Sequence, residues 1–431
     1  MISEFNQSEC FVYINLPGET RPVTAGKLVI RPDKSGLPHG MFVYGRSYLD
    51  RQDKVPIDPI ELKLSDRVYE TRALKGVFGA FRDAGPDHWG RQVLERHAGK
   101  PELSELDYLL LSPDDRAGAL GFGLSPIAPT ESPGFNQTLD LAQLQNVAMA
   151  VVNDEPLPDE SYKEQVFDLM LVGTSMGGAR PKTVVEDYEG LWLAKFNRED
   201  DKWNNARVEH AMLMLARSCG LTSATSTVVQ VGNRDVLLVK RFDREKTGEG
   251  YTRARMLSAL TLLRAEDTHS ARRKWSYPVL AEELRRMSAT PGENAEELFR
   301  RMCFNALISN IDDHPRNHAV IAKGHDWELS PAYDLTPFSP VSIERRDLAM
   351  ICGDDGRRAK AANLLSQSNR FCWIKTQRQT FWITCKNRSR AHGMKRPAGQ
   401  GFRNPTAKKS AAPLSMKDSF TNKRGRSKVP E

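Results

Sequence analysis

The stretch Asn310-Ile-Asp-Asp-His-Pro-Arg-Asn317 decides how this 431-residue chain is interpreted. It lies at the end of a helical pattern, and Pro315 ends any helical continuation because proline has no backbone N–H to donate. Asp312 and Asn317 lie five residues apart in the loop that results. In such a loop a carboxylate can take the proton of an attacking hydroxyl, and an amide oxygen can hold Mg²⁺ on nucleotide phosphates. The stretch therefore indicates phosphoryl transfer.

The residues that follow supply a second acidic ligand. The pattern predicts a hairpin with strands at His318–Ala322 and Trp327–Leu329, after which the chain reaches Asp334. Protein kinases show the same Asp-to-Asn spacing and place another Mg²⁺ ligand shortly downstream. Any one of these residues alone is better explained as a helix cap or a solvated turn. Asp312, Asn317 and Asp334 together favour the functional interpretation.

Two upstream lysines are candidates for holding phosphates. Lys182 closes the loop Gly173–Lys182, whose small residues let backbone N–H groups approach a phosphate, although an ordinary turn explains the same residues. Lys195 lies on a predicted strand after this loop, as the phosphate-binding lysine of kinases does, and the alternative is a surface lysine on an edge strand. Glu209, on the next predicted helix, is the candidate partner of Lys195. Its alternative interpretation is an exposed residue on the helix face.

The order of the predicted elements indicates an α+β chain with a two-lobed, protein-kinase-like fold. A strand–helix–strand half over residues 191–241 precedes a mostly helical C-terminal lobe that begins with a helical region at 254–310. An α/β subdomain precedes both, with a helical pattern at Gly76–Ala98. The predicted division is an N-terminal domain at 10–125, a linker with one short helix at 126–160, a kinase-like domain at 161–370 and a tail at 371–431.

Composition excludes several classes of protein. Apolar residues make up 39% of the chain and charged residues 27%, which is a globular profile. No apolar run approaches the roughly 18 residues of a membrane helix, and the N-terminus lacks a signal-peptide pattern, so the expected location is cytoplasmic. None of the six cysteines forms a C-x-x-C pair, which argues against zinc and for reduced thiols.

The basic charge is concentrated at the C-terminal end. Residues 371–431 hold 15 Lys and Arg against 2 Asp and Glu, so residues 1–370 carry −6 although the whole chain carries +7. A tail of this kind gives weak, salt-sensitive attraction to nucleic acid, and a nucleic-acid binder is one function class to weigh. The mildly acidic body does not itself predict one.

Taken together, the motifs resemble those of the HipA family, the kinase toxins of bacterial toxin–antitoxin pairs. The resemblance covers roughly residues 10–370. It rests on an ordered series of stretches, namely Phe78-Gly-Ala-Phe-Arg-Asp-Ala-Gly-Pro-Asp-His-Trp-Gly-Arg91, Ser175-Met-Gly-Gly-Ala-Arg-Pro-Lys-Thr183, Leu193-Ala-Lys-Phe196, Val239-Lys-Arg-Phe-Asp-Arg244, Asp312-Asp-His-Pro-Arg-Asn317 and Ala332-Tyr-Asp-Leu-Thr336.

The resemblance implies a role for each matched residue. Asp312 would be the catalytic residue, Asn317 and Asp334 the metal ligands, and Ser175 a site of autophosphorylation whose added charge would expel the phosphate loop from its ATP-binding position. The implied ATP contacts are Gly177, Gly178, Ala179, Arg180, Pro181, Lys182, Lys195, Lys240, Arg241, Phe242, His314, Pro315, Arg316, Asn317, Tyr333 and Asp334. Lys240 stands where family members often have Glu, a difference that would leave backbone contacts to the adenine intact.

The resemblance also implies partners. The cofactors would be ATP and Mg²⁺, the substrate a translation protein such as an aminoacyl-tRNA synthetase, and the partner a small helix-turn-helix antitoxin (HipB-like) that brings the complex to DNA. Two alternatives to an active protein kinase stay open, namely a catalytically inactive scaffold and a kinase of small-molecule hydroxyls. The first is favoured by residues 371–431, which lose the helical pattern and turn Pro-, Gly- and Lys-rich, and which we interpret as disordered and translated in a shifted frame.

Overall fold

A computed structural model describes residues 8–130, 136–137, 141–152, 180–338 and 346–372. Its strands are β1 (Glu9–Asn15), β2 (Pro22–Pro32), β3 (Pro38–Tyr44), β4 (Tyr69–Thr71), β5 (Leu120–Gly123), β6 (Asn136–Gln137), β7 (Lys182–Asp187), β8 (Gly190–Phe196), β9 (Ser226–Val231), β10 (Arg234–Lys240), β11 (Arg244–Thr247), β12 (Gly250–Arg253), β13 (Arg255–Ser258), β14 (Ala319–Ala322) and β15 (Glu328–Leu329). Its α-helices are α1 (Arg46–Leu49), α2 (Gly79–Asp83), α3 (His88–Ala98), α4 (Glu105–Leu111), α5 (Leu141–Val152), α6 (Asn205–Ser218), α7 (Ala259–Leu262), α8 (Tyr277–Met287), α9 (Pro291–Ile308) and α10 (Ala361–Ser366).

The N-terminal part is built on an antiparallel sheet in the order β4-β3-β2-β1-β5. Alternating apolar residues bury one face of each strand, as in β3, where Phe42 and Tyr44 are buried and pack edge to face 4.9 Å apart. Strand β3 ends at Tyr44, and Gly45 leads into α1.

The helical pattern predicted over Gly76–Ala98 divides into two helices, α2 and α3. Gly85 and Pro86 separate them, since proline cannot donate the backbone hydrogen bond that a continuous helix requires. Asp87 then caps α3, because its side chain accepts a hydrogen bond from the Gly90 N–H, and Gly99 ends the helix with φ of 63°. The break gives the chain a short loop that reaches the site described below.

The second sheet has the order β6-β7-β8-β10-β9, and α6 packs on β9 and β10. Its central strands β8 and β10 are antiparallel neighbours rich in buried Leu, Val and Ala. In the pairing of β7 with β8, Lys182 lies directly opposite Lys195. This register places both lysines on the same face of the sheet.

The C-terminal lobe consists mainly of α8, α9 and α10 around a small sheet, β13-β14-β15. The helical expectation for residues 254–310 is wrong at its start, because Arg255–Ser258 is strand β13 and pairs with Ala319–Ala322. The two paired strands lie more than sixty residues apart in the chain, so a local sequence pattern cannot predict their pairing. Phe371 is buried and its ring lies 5.3 Å from that of Phe299 in α9.

Apolar cores join these parts. One cluster runs from the N-terminal sheet through α2 to α8 and α9, and another joins Trp89, Val93 and Leu94 of α3 to buried residues of β7, β8 and β10. The arrangement is an α+β, kinase-like fold in which an N-terminal domain is packed on both lobes, as the sequence predicted for the fold class.

Candidate nucleotide and phosphoryl-transfer site

A pocket lies where the second sheet, the small third sheet and the N-terminal domain meet. Eight residues predicted for ATP or metal binding line it together, namely Lys195, Lys240, Arg241, Phe242, Arg316, Asn317, Tyr333 and Asp334. A more voluminous cavity, of about 390 Å³, lies between α2 and residues 260–274, and no predicted site residue lines it. The pocket that contains Lys195 and Asp334 is the candidate functional site because the groups that can bind phosphate and metal converge there.

Lys195 is the centre of the charged part of this pocket. Its Nζ donates to both carboxylate oxygens of Glu209, at 2.7 and 3.0 Å, and to Oδ1 of Asp334 at 3.1 Å. Burial disfavours the ammonium, but Asp334 and Glu209 outweigh that penalty and raise the pKa of Lys195 above its ordinary value. The lysine is therefore a fixed cation that joins strand β8, helix α6 and the segment at 334.

Glu209 and Asp334 share the Lys195 ammonium, and their pKa values shift in opposite directions. Burial also works to raise the pKa of Asp334, yet Lys195 outweighs it and the pKa lies below its ordinary value. Glu209 is buried and feels the negative charge of Asp334 as well, so its pKa is raised. Asp334, whose side chain is 34% exposed against 7% for Glu209, is thus the carboxylate that stays charged and open to the pocket.

Asp334 lies in an unusual backbone conformation. Its φ of 56° is in the left-handed region, which Asp tolerates better than most residues and which costs free energy unless the surroundings fix it. The preceding residue fixes it here. The hydroxyl of Tyr333 donates to the Arg316 carbonyl at 2.7 Å, and its ring lies 5.7 Å from that of Phe242.

The adjacent aspartates 312 and 313 have opposite environments. Asp313 is buried, and its Oδ1 lies 3.0 Å from Nε2 of the buried His318, whose ring packs against Tyr277. Asp312 is exposed, and its carboxylate accepts no hydrogen bond from any described residue. Desolvation and then the charge of Asp334 raise the pKa of Asp312, although His314 opposes the shift. Asp312 is therefore the carboxylate that can meet an incoming hydroxyl.

The loop is held by its own backbone. Helix α9 ends at Ser309, whose φ is 61°, and the Asn310 N–H returns to the Asn305 carbonyl. A 3₁₀ turn at Pro315–Asn317 brings Asn317 back so that its Nδ2 donates to the Asp312 carbonyl at 3.3 Å. The Oδ1 of Asn317 is consequently turned away from that bond and accepts no hydrogen bond within the described part of the chain.

These oxygens fit a hard divalent cation. Asn317 and Asp334 both line the pocket, and Mg²⁺ commonly takes only one or two protein ligands and completes its octahedron with phosphate and water. No three His, Cys, Asp or Glu side chains among the described residues cluster as a metal cage. A metal at this position would therefore depend on the nucleotide for most of its ligands.

Other predicted loop residues lie beside the pocket instead of lining it. Asp312, His314 and Pro315 are not among the lining residues, and the His314 ring lies 6.5 Å from the Trp275 ring. Arg316 does line the pocket, and its Nε donates to Asp267 at 2.8 Å.

The structure describes only the last residues, 180–182, of the predicted phosphate loop. Ser175, Gly177, Gly178 and Ala179 lie outside the described residues. Arg180 forms an ion pair with Asp201 at 2.7 Å, and the Pro181 carbonyl accepts the Phe196 N–H at 3.0 Å. Lys182 begins strand β7 instead of ending a loop, and its side chain is 1% exposed and paired with Asp87 at 2.7 Å.

The three residues of the predicted adenine-binding segment, residues 240–242, make different contacts. The Lys240 and Arg241 N–H groups donate to the carbonyls of Thr225 and Leu191. The Arg241 guanidinium is buried against Asp115 and Asp243, so it joins the domains and does not face a ligand. The backbone N–H and C=O of Phe242, in contrast, have no hydrogen-bond partner among the described residues and lie at the pocket, where an adenine edge could use them.

Sequence reasoning missed the contribution of the N-terminal domain to this pocket. Asp83, Gly85, Asp87 and Ala117 form one of its walls, and Leu193, Val239 and Met256 give it an apolar floor. From sequence alone, the stretch Phe78–Arg91 indicates only a resemblance to the family. The two acids in it, on either side of a proline break, were the signal that could have placed it at a charged site.

Fold and site together define a kinase-like α+β protein. The match to a chain in the solved complex of HipA, HipB and operator DNA from Shewanella oneidensis MR-1 has a TM-score of 0.63, 15% identity and 94% coverage of each chain, which shows the fold. Residues 174–395 match the HipA-like C-terminal domain, and residues 22–123 match the HipA N-terminal domain. The chain belongs to the HipA family.

A match to one curated protein covers a smaller part of the chain. The chain is 26% identical over 131 residues to the "Putative kinase Y4mE" of Sinorhizobium fredii. That alignment covers 30% of this chain and 31% of the relative, so it spans about a third of the relative's length.

None of the helices in the described ranges has the length and apolar character that a bilayer crossing requires.

Proposed function

We propose that the chain is an ATP- and Mg²⁺-dependent kinase that transfers phosphate to a serine or threonine hydroxyl of a protein. The observation that carries the proposal is the Lys195 ammonium bonded to both Glu209 and Asp334 in one pocket with Asn317, beside the exposed carboxylate of Asp312. Such a set positions phosphates and a nucleophile without any covalent intermediate on the protein.

Each group has a role in this proposal. The Phe242 backbone holds the adenine edge, and Leu193, Val239 and Met256 pack on the ring. Lys195 binds phosphate oxygens, and Glu209 keeps its ammonium in place. Asn317 and Asp334 would hold Mg²⁺, which when bound neutralises phosphate charge. Arg180 and the stretch 177–182 are proposed to complete the phosphate side.

Asp312 is proposed to act on the acceptor. The substrate hydroxyl oxygen forms a new bond to the γ-phosphorus of ATP, the bond from that phosphorus to the β,γ-bridging oxygen breaks, and ADP leaves. The hydroxyl proton goes to the Asp312 carboxylate. Because desolvation raises the pKa of Asp312, this carboxylate is a better proton acceptor than a fully solvated one.

We extend the proposal to the biology of the family. The chain would be the toxin of a toxin–antitoxin pair, with a HipB-like helix-turn-helix antitoxin as partner and contact to DNA only through that partner. The solved complex that shares its fold contains HipA, HipB and operator DNA, which supports this part. The substrate would be an aminoacyl-tRNA synthetase or a similar translation protein, and Ser175 would be the site of autophosphorylation.

An autophosphorylation assay tests the proposal. The full chain is incubated with γ-labelled ATP and Mg²⁺ beside Asp312→Ala and a matched control, Asp326→Asn, which alters an exposed aspartate in the turn between β14 and β15. We expect label on Ser175 in the wild type and the control and none in Asp312→Ala. A folded wild-type chain that takes no label and transfers none to added synthetases would instead support an inactive scaffold. Label transferred only to small hydroxyl compounds would support a small-molecule kinase.

A further inference from the structure

A group of four buried charges joins the N-terminal domain to the segment after β10, namely Asp115, Arg241, Asp243 and Arg244. Each of these side chains is 5% exposed or less. The Arg241 guanidinium donates to the Asp115 carboxylate, and it also donates to both carboxylate oxygens of Asp243, at 3.0 and 2.8 Å. Two positive and two negative charges balance, which is the condition under which such charges can be buried.

The backbone of the N-terminal domain takes part in the same group. The Arg116 carbonyl accepts a hydrogen bond from Arg241 Nη2 at 2.9 Å. The Gly118 N–H donates to Asp243 Oδ2, also at 2.9 Å. The N-terminal domain therefore holds the side chains of both residues that flank Phe242.

The main chain on either side of Phe242 is held as well. The Arg241 N–H donates to the Leu191 carbonyl at 2.9 Å, and the Asp243 carbonyl accepts the Ala254 N–H at 2.9 Å. Phe242 itself is half-buried and lines the pocket, and its N–H and C=O have no hydrogen-bond partner among the described residues. A segment that is fixed on both sides thus brings one free donor and one free acceptor to the pocket.

We propose that Asp115 is a positioning residue for base recognition, which through Arg241 fixes the Phe242 main chain where it reads an edge of adenine. The proposal rests on the function proposed above. Adenine carries an amino donor beside ring-nitrogen acceptors, which suits one C=O and one N–H. Guanine has an acceptor oxygen in place of that amino group, so a fixed carbonyl disfavours it. The N-terminal domain thereby contributes to the choice of base, although Asp115 does not line the pocket.

The main test is the ratio of the affinities of the full chain for two non-hydrolysable nucleotides, AMP-PNP and GMP-PNP, each with Mg²⁺, measured by calorimetry. Asp115→Asn keeps the size of the side chain and removes the charge that holds Arg241. We expect AMP-PNP binding to weaken about tenfold, the effect of losing one or two hydrogen bonds to adenine, and GMP-PNP binding to change less than about twofold. Asp114→Asn is the control, because Asp114 pairs across the same domain boundary with Arg253, at 2.9 Å, and not with the residues that flank Phe242. It should keep the base selectivity of the wild type even if it lowers thermal stability.

A second variant decides the matter if Asp115→Asn does not fold. Arg241→Lys keeps one positive charge, but a lysine lacks the rigid fork that reaches Asp115, Asp243 and the Arg116 carbonyl together, so it should lose base selectivity too. Equal loss of affinity for the two nucleotides in the folded variant, unchanged selectivity, or the same loss of selectivity in Asp114→Asn would each overturn the proposal. A wild-type chain that binds both nucleotides equally well would overturn it while leaving the kinase function in place. A folded wild-type chain that binds neither nucleotide would refute the proposed function itself, and this inference with it.

Discussion

Replacing Lys195 with methionine should destabilise the fold in a way that depends on pH. The ammonium neutralises Glu209, whose side chain is 7% exposed and cannot be hydrated in its place. Methionine fills the space of the lysine stem but leaves a buried carboxylate without a counter-charge. Asp334 is 34% exposed and can be solvated, so most of the penalty comes from Glu209.

The size of the effect follows from the cost of protonating Glu209. For a carboxyl group whose ordinary pKa is 4.5, staying protonated in the folded state costs about 1.4 kcal/mol for each pH unit above that pKa. At pH 7 the stranded glutamate should therefore lower the free energy of unfolding by up to about 3 kcal/mol, and at pH 5 by less than about 1 kcal/mol. The sign is that of an acid whose pKa is raised in the folded state, so the penalty is absent below the ordinary pKa and grows as pH rises.

Urea unfolding of the nucleotide-free chain at pH 5 and pH 7 measures this difference. Adding Glu209→Gln to Lys195→Met should remove most of the pH-dependent loss, because the buried group is then neutral at both pH values. Lys246→Met is the matched control, since Lys246 pairs with Glu186 at 3.2 Å on the surface and should contribute less than about 1 kcal/mol. A loss in Lys195→Met that is equal at both pH values, or that Glu209→Gln does not relieve, would refute the reasoning.

Three further predictions concern the catalytic loop, the adenine-binding segment and the tail. Asp312→Asn should lower kcat by about 10²- to 10⁴-fold with little change in KM for ATP, and wild-type kcat should fall with acid as the raised pKa of Asp312 is crossed. Asp313→Asn should instead lower thermal stability, because Asp313 is buried beside His318. Lys240→Glu should change ATP affinity by less than about twofold, because the Lys240 N–H donates to Thr225 within the sheet and its side chain pairs with Glu189 at 3.7 Å. Truncation after Cys372, which retains the buried Phe371, should leave AMP-PNP affinity unchanged and reduce salt-sensitive binding to nucleic acid.

Each of these has a contrary result. An Asp312→Asn enzyme with normal kcat would remove that residue from the chemistry, and a large change in ATP affinity in Lys240→Glu would mean that its side chain contacts the nucleotide. Loss of nucleotide affinity on truncation would place part of the tail in the kinase-like fold. Steady-state kinetics measures kcat, calorimetry measures the two nucleotide affinities, and fluorescence anisotropy on labelled DNA measures the binding of the tail to nucleic acid.

Much of the catalytic loop was predictable because it is local. Pro315 prevents a helix from continuing through the loop, and the spacing from Asp312 to Asn317 fits one turn of chain that closes on itself through the Asn317 amide. The hairpin that carries the chain on toward Asp334 is likewise a short-range pattern of alternating residues and a turn. The α+β class followed from the order of such elements.

Only the tertiary structure decided which charged groups face the pocket. Asp312 and Asp313 are neighbours of the same type, and the packing of His318 against Tyr277 is what draws one of them inward. Arg241 lines the pocket, but its guanidinium is buried against Asp115 of the N-terminal domain, a contact that no local pattern predicts.

The part of the pocket that the N-terminal domain forms was also decided by tertiary packing. Asp87 reaches Lys182 across 95 residues of sequence, because α3 buries its apolar face on the second sheet. Local pattern fixes where a helix or turn begins and ends, since the backbone hydrogen bonds concerned span only a few residues. The partner of a buried charge is set by which surfaces the hydrophobic core brings together, and no short stretch of sequence contains that choice.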